Sequence, residues 1–249
     1  MVDEMTIVPD EGFYFGLGAF ETIAVEHGRP LFLAAHMARL GRALEFLGIE
    51  RGLDEALRCV KQKLSSSRGL IDRTALKVVV TPENTLASMR PNPYTAHDYA
   101  RGFDVVTSTV RRNETSPLTA HKTLNYGDCI LERRRARAAG KDEALFLNMA
   151  GNVAECASSN VFFVCGEELV TPSLDSGLLP GIVREVVCEC FDVTERPVAR
   201  DELEGFDEMF LTNSLMGVMP ARSLDGRPFA SRRMARRVED ALKREAGLS

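Results

Sequence analysis

The 249-residue chain lacks the features that mark membrane, nucleic-acid and metal proteins. It has no run of about eighteen apolar residues, the length that a bilayer-spanning helix needs, so no membrane contact is predicted. Its formal net charge of −5 offers no general attraction to nucleic acid. Its four histidines are widely spaced and its six cysteines contain no pair of CxxC half-sites, so no metal site is predicted.

Cysteine usage and the N-terminal composition bear on the compartment. The scattered cysteines are explained better by free thiols in a reducing compartment than by a disulfide framework. The opening stretch MVDEMTIVPDEG is acidic and lacks the basic and then apolar pattern of a secretory signal. We therefore expect a cytoplasmic protein.

What is present is an ordinary globular composition, 45% hydrophobic and 27% charged. Apolar residues at helical spacing alternate with short apolar runs, without the strict strand–helix alternation of a doubly wound sheet, which predicts an α+β fold. A boundary near residues 112–118 predicts two domains, 1–114 and 115–249. The proline-rich segment ENTLASMRPNPYTAHDYARG is predicted to be an irregular loop. The short strands after residue 143 predict a small, barrel-like sheet.

Several polar residues stand outside the amphipathic patterns. Lys122 lies where a loop meets a helix, Glu155 lies among small residues of a strand, and Arg39 lies on an otherwise apolar helix. The segment LPGIV opens a helix with glycine, which exposes unpaired N–H groups suited to a phosphate. The strand end TNSL adds a hydroxyl and further amides. Taken singly, each of these is more often an ordinary surface or structural feature.

Together, these residues would suit pyridoxal 5′-phosphate (PLP). A lysine amine can bond covalently to the cofactor aldehyde, and a carboxylate can keep the pyridine nitrogen protonated. The spacing of the residues does not by itself establish this combination.

Six blocks along the chain resemble, in order, the class IV PLP enzymes of fold type IV. The blocks are GFYFGLGAFET, HMARL, HKTLNY, DEALFLNMAGNVAECASSNVFFV, TPSLDSGLLPGIVRE and LTNSLMGVMPARSLDGRPF. The group includes branched-chain aminotransferases, D-amino-acid aminotransferases and aminodeoxychorismate lyases. The resemblance implies two α+β domains, a barrel-like second domain, PLP between the domains, an amino-acid-like substrate and a homodimer.

The resemblance also implies a role for each matching residue. Lys122 matches the lysine that carries the cofactor and moves protons, Glu155 the glutamate facing the pyridine nitrogen, and Arg39 the phosphate-binding arginine. The remaining expected cofactor contacts are the helix-start amides of Ile182 and Val183, the loop residues Ser214 and Leu215, and the nearby residues Tyr126 and Asn160.

The choice between reactions depends on the pocket. NSLMGVMP resembles the loop of aminodeoxychorismate lyases more than the Gly-Thr-Ala loop of branched-chain and D-amino-acid aminotransferases, so a lyase is favoured. An aminotransferase is the alternative, and a non-catalytic relative is a remote one. The family's glycine- and arginine-rich substrate segment is replaced here by TPENTLASMRPNPYTAH, in which Arg90 is the expected ligand of a substrate carboxylate.

Overall fold

The computed structural model describes residues 6–50, 52–66 and 73–248, which form two compact units. The first unit contains the described residues up to Asn92 together with His121–Asn125. The second contains Pro93–Ala120 and the described residues from Tyr126 onward. Helices and strands are mixed in the chain, as the α+β prediction required. No helix among the described residues has both the length and the apolar character needed to cross a bilayer.

The first unit is a four-stranded antiparallel sheet with helices. Its strands are β1 (Ala19–Glu26), β2 (Arg29–Pro30), β3 (Arg73–Val80) and β4 (Thr85–Pro91), in the order β2-β1-β3-β4. Its helices are α1 (Glu11–Phe15), α2 (Leu33–Phe46) and α3 (Leu53–Ser66). The apolar faces of α2 and α3 pack with the sheet around buried Ile23, Leu40 and Leu76.

Local sequence signals explain most of this unit. β1 and β2 are joined by His27-Gly28, whose φ angles of 51° and 77° suit a residue pair that tolerates the left-handed region. Helix α2 buries Met37, Leu40 and Leu44, which recur at intervals of three and four residues. Signals within a few residues therefore account for both the hairpin and the helix.

The second unit contains a nine-stranded, curled sheet. Its strands are β5 (Phe103–Arg112), β6 (Glu143–Asn148), β7 (Val153–Cys156), β8 (Asn160–Cys165), β9 (Glu168–Pro172), β10 (Val193–Arg196), β11 (Glu208–Asn213), β12 (Gly217–Leu224) and β13 (Arg227–Pro228). The order is β10-β9-β8-β11-β12-β5-β6-β7, with β13 on β12. A bridge between Cys156 and Ser159 links the end of β7 to the start of β8. The sheet thus curls back on itself, which confirms the barrel-like prediction.

Four helices accompany this sheet: α4 (Ala96–Arg101), α5 (Gly127–Ala138), α6 (Ile182–Cys190) and α7 (Arg233–Glu245). The core of this unit includes stacked aromatic rings: those of Phe162 on β8 and Phe210 on β11 lie at a centroid distance of 5.0 Å. Both rings are fully buried on neighbouring strands, so they fix the register of β8 against β11.

The irregular loop predicted over residues 83–102 is wrong. Residues Thr85–Pro91 form strand β4, and Ala96–Arg101 form helix α4. β4 pairs with β3 on one side only, and an edge strand tolerates the exposed polar residues and terminal proline that suggested a loop. Helix α4 begins with a capping box between Thr95 and Asp98.

The compact units divide the chain differently from the domains 1–114 and 115–249. Strand β5 lies before residue 114 but belongs to the second unit, since it pairs with β6 and β12. Segment 121–125 lies after that residue and belongs to the first unit. As a division into independently folding domains, the boundary at residue 114 stays a prediction.

Candidate active site

Lys122 is held against the first sheet by its own backbone. The Phe20 N–H donates to the Lys122 carbonyl at 2.9 Å, and the Leu124 N–H donates to the Gly18 carbonyl at 2.8 Å. A bridge between Ala19 and Thr123 lies between these two bonds. Residues 122–124 therefore extend the sheet at the start of β1, which fixes the lysine more firmly than a free loop would.

The Phe20 ring is a platform for two ammonium groups. The Nζ atoms of Lys122 and Lys77 lie 4.5 Å and 4.4 Å from the ring centroid, both within cation–π range. Burial, together with the charge of Arg90, lowers the pKa of Lys77. Arg90 itself is exposed on β4. The first unit thus gathers two ammonium groups at one aromatic ring, and the charge of Arg90 acts on one of them, an arrangement suited to an anionic substrate.

Arg39 belongs to a buried cluster with Glu21 and His36. The Arg39 guanidinium donates from Nε to Oε1 of Glu21 at 2.7 Å and from Nη2 to Oε2 at 2.8 Å. Nδ1 of His36 lies 2.7 Å from Oε2 of the same carboxylate. Burial alone would raise the pKa of Glu21, but Arg39 and then His36 lower it to about 2. The carboxylate is therefore ionised and fixes both partners.

Glu155 lies on β7 and is buried, so it is not the solvent-facing residue that an isolated glutamate usually is. Its Oε1 accepts from Nη2 of Arg112 on β5, and the Leu179 N–H donates to its Oε2 at 3.1 Å.

Tyr126 is half-buried, at the start of α5, and burial raises the pKa of its phenol well above the ordinary value. The tyrosine hydroxyl therefore stays protonated at neutral pH.

The main chain of Leu179 ties this carboxylate to the start of α6. While its N–H donates to Glu155, its carbonyl accepts from Nδ2 of Asn160 at 2.9 Å. The Oδ1 of Asn160 lies so close to Gly181 that a Cβ there would come within 2.0 Å of it. Glycine is thus required at the residue before α6, and Asn160 has a defined role in shaping this turn.

The N-terminus of α6 is suited to an anion. No side chain of residues 6–50, 52–66 or 73–248 caps its first turn, and the N–H groups of Ile182 and Val183 have no preceding helical turn to donate to. The nine-residue helix directs the positive end of its dipole to the same place. Thr212 lies on β11 and pairs with Asn160 on β8. Its hydroxyl is buried and has no hydrogen-bond partner within the described ranges.

Asn213 closes the turn that follows β11. Its Oδ1 accepts from the N–H groups of Leu215 and Met216, both at 2.9 Å. Its Nδ2 donates to the Ser158 carbonyl at 3.0 Å and to the Tyr94 hydroxyl at 3.2 Å. The Leu215 amide expected to bind phosphate is thus already engaged by a side chain. Ser214, half-buried between these residues, leaves its hydroxyl as the feature of this turn that suits a phosphate.

A family model, amino-transferase class IV, matches residues 18–224. The chain belongs to this family. Its curated relatives include the "Probable branched-chain-amino-acid aminotransferase" of Thermotoga maritima, 32% identical over 84% of this chain and 78% of the relative. They also include the "Aminodeoxychorismate lyase" of Bacillus subtilis, 29% identical over 87% of this chain and 80% of the relative.

A solved structure shares the whole architecture of this class IV chain. It is a candidate 4-amino-4-deoxychorismate lyase from Legionella pneumophila, with a TM-score of 0.85, 26% identity and 98% coverage of both chains. The fold type IV prediction is confirmed.

Class IV aminotransferases are PLP enzymes, so PLP is the cofactor of this one. The donor groups in the structure fit it. Lys122 supplies an amine, Glu155 a buried carboxylate, and the uncapped start of α6 a set of N–H groups for a phosphate. The buried and unpartnered Thr212 hydroxyl fits the same need.

Four residues that bond to or pair with the candidate residues were missed by the sequence analysis: Glu21, His36, Arg112 and Thr212. Two of them carried a signal, because Glu21 is the one charged residue inside the apolar run AFETIAV, and His36 lies three residues before Arg39 on one helical face. Arg112 and Thr212 carried none, since pairing across β5, β7, β8 and β11 decides what they face.

Proposed function

We propose that this chain is a PLP-dependent 4-amino-4-deoxychorismate lyase, which releases pyruvate and forms 4-aminobenzoate. The observation that carries the proposal is the turn after β11. Its sequence NSLM is of the lyase type, and its asparagine closes the turn with four hydrogen bonds that a glycine in the same place could not make. The Bacillus subtilis and Legionella pneumophila relatives carry the same assignment.

The proposed cofactor contacts follow the donor groups. Lys122 bonds to the cofactor, and Glu155, held by the hydrogen bond from Arg112, faces the pyridine nitrogen. Arg39 and the amides of Ile182 and Val183 hold the phosphate. Ser214 contributes its hydroxyl to the same phosphate. Leu215 helps to hold Ser214 in place, since its N–H donates to Asn213 and closes the turn. Tyr126 and Asn160 line the cofactor, the former as a hydrogen-bond donor.

Bound PLP supplies an aldehyde for the substrate amine and a protonated ring that withdraws electrons from bonds to the α-carbon. The protein supplies the proton transfers and the orientation. Nζ of Lys122 accepts the proton from the α-carbon, since it is the amine that the substrate displaces. The hydrogen bonds of Arg112 and Leu179 hold the Glu155 carboxylate in a fixed position, where it would face the pyridine nitrogen of bound PLP.

The cations near Phe20 suit a substrate with more than one carboxylate. Lys77 and Arg90 lie in the same unit as Lys122, and Lys77 shares its aromatic platform. We propose that Arg90, assisted by Lys77, binds a substrate carboxylate. Burial lowers the pKa of Lys77, and an incoming carboxylate would restore it by supplying the missing counter-charge.

An aminotransferase is the second candidate function. It is favoured by the Thermotoga maritima relative, at 32% identity. A non-catalytic relative is disfavoured because Lys122, Glu155 and Arg39 are all present, and the last two are buried.

The test is to supply 4-amino-4-deoxychorismate to purified holoenzyme without any oxo acid. We expect 4-aminobenzoate and pyruvate in equal amounts over many turnovers, followed by chromatography. Turnover that occurs only when an amino acid is paired with 2-oxoglutarate or pyruvate would replace the lyase by the aminotransferase. The matched control is the Lys122→Ala variant, which should form neither product.

We further propose a homodimer, as the family resemblance implies. Phe13, Tyr14 and Phe15 on helix α1 are 67%, 64% and 68% exposed, although aromatic side chains are usually covered. The expectations of a cytoplasmic location and of no nucleic-acid partner stay predictions from composition.

A further inference from the structure

Tyr94 is a buried tyrosine of the second unit that the proposed function leaves without a task. Its ring packs against that of Phe103 at a centroid distance of 6.1 Å. Its hydroxyl oxygen accepts from Nη2 of Arg133 at 3.3 Å and from Nδ2 of Asn213 at 3.2 Å. One phenol oxygen therefore pairs two donors, and one of them belongs to the turn that is proposed to contact PLP.

These two bonds are part of a closed ring of five residues, which come from five segments of the second unit. The Nδ2 of Asn213 also donates to the Ser158 carbonyl at 3.0 Å, and the Ser158 hydroxyl donates to Oε2 of Glu143. That oxygen lies 3.7 Å from Nε of Arg133, whose guanidinium completes the ring at Tyr94. Glu143 is 1% exposed, so Arg133 provides the counter-charge that a buried carboxylate requires.

The ring determines which way round the Asn213 amide lies. On one side, Oδ1 accepts from the N–H groups of Leu215 and Met216. On the other side, Nδ2 meets the Ser158 carbonyl, which can only accept, and the Tyr94 oxygen. A reversed amide would place N–H against N–H in the turn and oxygen against oxygen at Ser158. One orientation is therefore favoured, and the turn around Ser214 takes its shape from it.

We propose that Tyr94 is a positioning residue of the cofactor site. It holds the amide of Asn213, and through the turn that this amide closes it places the Ser214 hydroxyl for the PLP phosphate. The proposal rests on the proposed contact between Ser214 and that phosphate. Because the Tyr94 ring is held by Phe103, its oxygen is already in position before the cofactor binds.

The experiment titrates full-length apoprotein with PLP and with pyridoxal, which has the same aldehyde but no phosphate. The dissociation constant of pyridoxal divided by that of PLP, the phosphate ratio, measures what the phosphate contributes. Ser214→Ala should lower this ratio by about tenfold or more, since it removes a hydrogen bond to a charged group. Tyr94→Phe keeps the packed ring and loses the oxygen, and should lower the ratio by about threefold or more.

A merely structural role of Tyr94 would weaken both ligands alike, so an unchanged phosphate ratio in Tyr94→Phe would overturn the proposal. The double variant tests whether Tyr94 acts through Ser214. Adding Tyr94→Phe to Ser214→Ala should change the ratio by less than about twofold, because the group that Tyr94 positions is already absent. Losses that multiply would show that Tyr94 acts elsewhere, and would also overturn the proposal.

Tyr99→Phe is the matched control. It removes the same atom from a second tyrosine, whose hydroxyl donates to the Met216 carbonyl at 2.8 Å, a bond that does not involve the Asn213 amide. We expect its phosphate ratio to stay within about twofold of wild type. A fall as large as that in Tyr94→Phe would contradict the role of the amide orientation.

A measurement on wild-type protein decides the amide orientation even if a substitution prevents folding. The side-chain N–H signals of Asn213 should exchange with solvent more slowly than those of the exposed Asn113. Equal exchange would overturn the proposal. An unchanged phosphate ratio in Ser214→Ala would instead remove the proposed contact on which the role of Tyr94 rests. Absence of 4-aminobenzoate in the lyase assay would overturn the proposed reaction and leave the role of Tyr94 intact.

Discussion

Lys122 and Lys77 offer a matched comparison, because both ammonium groups lie over the Phe20 ring but only one is assigned to the cofactor. Lys122→Ala should fold normally and lose covalent attachment of PLP, since no other amine has the backbone position of Lys122. Borohydride reduction followed by intact-mass measurement should show no adduct. Lys77→Ala should still give the adduct. A full adduct on Lys122→Ala would contradict the assignment.

Glu21 makes stability depend on pH in a stated direction. Its pKa is about 2 in the folded protein against an ordinary value of 4.5, so the folded state holds fewer protons. The resulting stabilisation, of order 3 kcal/mol, is present above about pH 5 and is lost as pH falls toward 2. Urea unfolding should therefore show the gap between wild type and Glu21→Gln shrinking with acid. A gap that is constant from pH 6 to pH 3 would contradict this.

At the scale of elements, the backbone at the start of α6 depends on Gly181, the residue before the helix, having no Cβ. Gly181→Ala places a Cβ 2.0 Å from Oδ1 of Asn160, so either the turn shifts or Asn160 moves and strains its bond to the Leu179 carbonyl in the same turn. We expect PLP affinity to fall by about tenfold or more. Gly127→Ala is the control, because that glycine also opens a helix and has no atom within 4 Å of its added Cβ. Equal PLP affinity in the two variants would contradict the proposed phosphate site at the start of α6.

The turn after β11 gives a second element-scale prediction. Asn213→Ala removes the side-chain oxygen that accepts from the amides of Leu215 and Met216 and should cost about 1–3 kcal/mol in the free energy of unfolding. Hydrogen exchange at both amides should accelerate. The control is Asn113→Ala, which removes a similar bond to the Thr115 amide at an exposed turn and should have a smaller effect. Unchanged exchange in Asn213→Ala would contradict the closed turn.

Elements with a local signal could be predicted, and those that depend on pairing could not. The periodicity of α2, the turn at His27-Gly28 and the glycine before α6 all carry their signals within a few residues. Strand β4 was missed because its exposed residues do not alternate clearly, and pairing with β3 makes it a strand.

The same distinction holds for the site in the whole molecule. Lys122, Arg39 and Glu155 were assigned to the site through blocks that resemble a family, whereas composition and spacing alone gave no reason to single them out. Glu21, His36 and Arg112 escaped because a buried ion pair is defined by two distant segments, and no single segment shows it. The fold and the cofactor could therefore be predicted from the sequence. The side chains that position the candidate residues could be identified only from the three-dimensional structure.

Assembly gives the prediction for the molecule as a whole. We expect light scattering after size exclusion to give twice the chain mass of 27.5 kDa. Replacing both Phe13 and Phe15 with serine should shift the mass toward one chain, because it removes large exposed aromatic groups without touching the core. An Ile7→Ser variant, exposed on the preceding segment, is the control. A wild-type mass of 27.5 kDa would refute the dimer.

The return of residues 121–125 to the first sheet has a consequence for synthesis on the ribosome. A nascent chain that ends at residue 120 already holds β1 to β4, yet it lacks the amine and the bonds that Phe20 and Gly18 make to its neighbours. If Lys122 carries the cofactor, as proposed, PLP can be bound covalently only after residues 93–120 have been synthesised and segment 121–125 has paired with the start of β1. The yellow colour of bound PLP would then appear only in chains whose segment 121–125 has paired with β1. Ribosome-stalled chains that end before residue 121 would stay colourless.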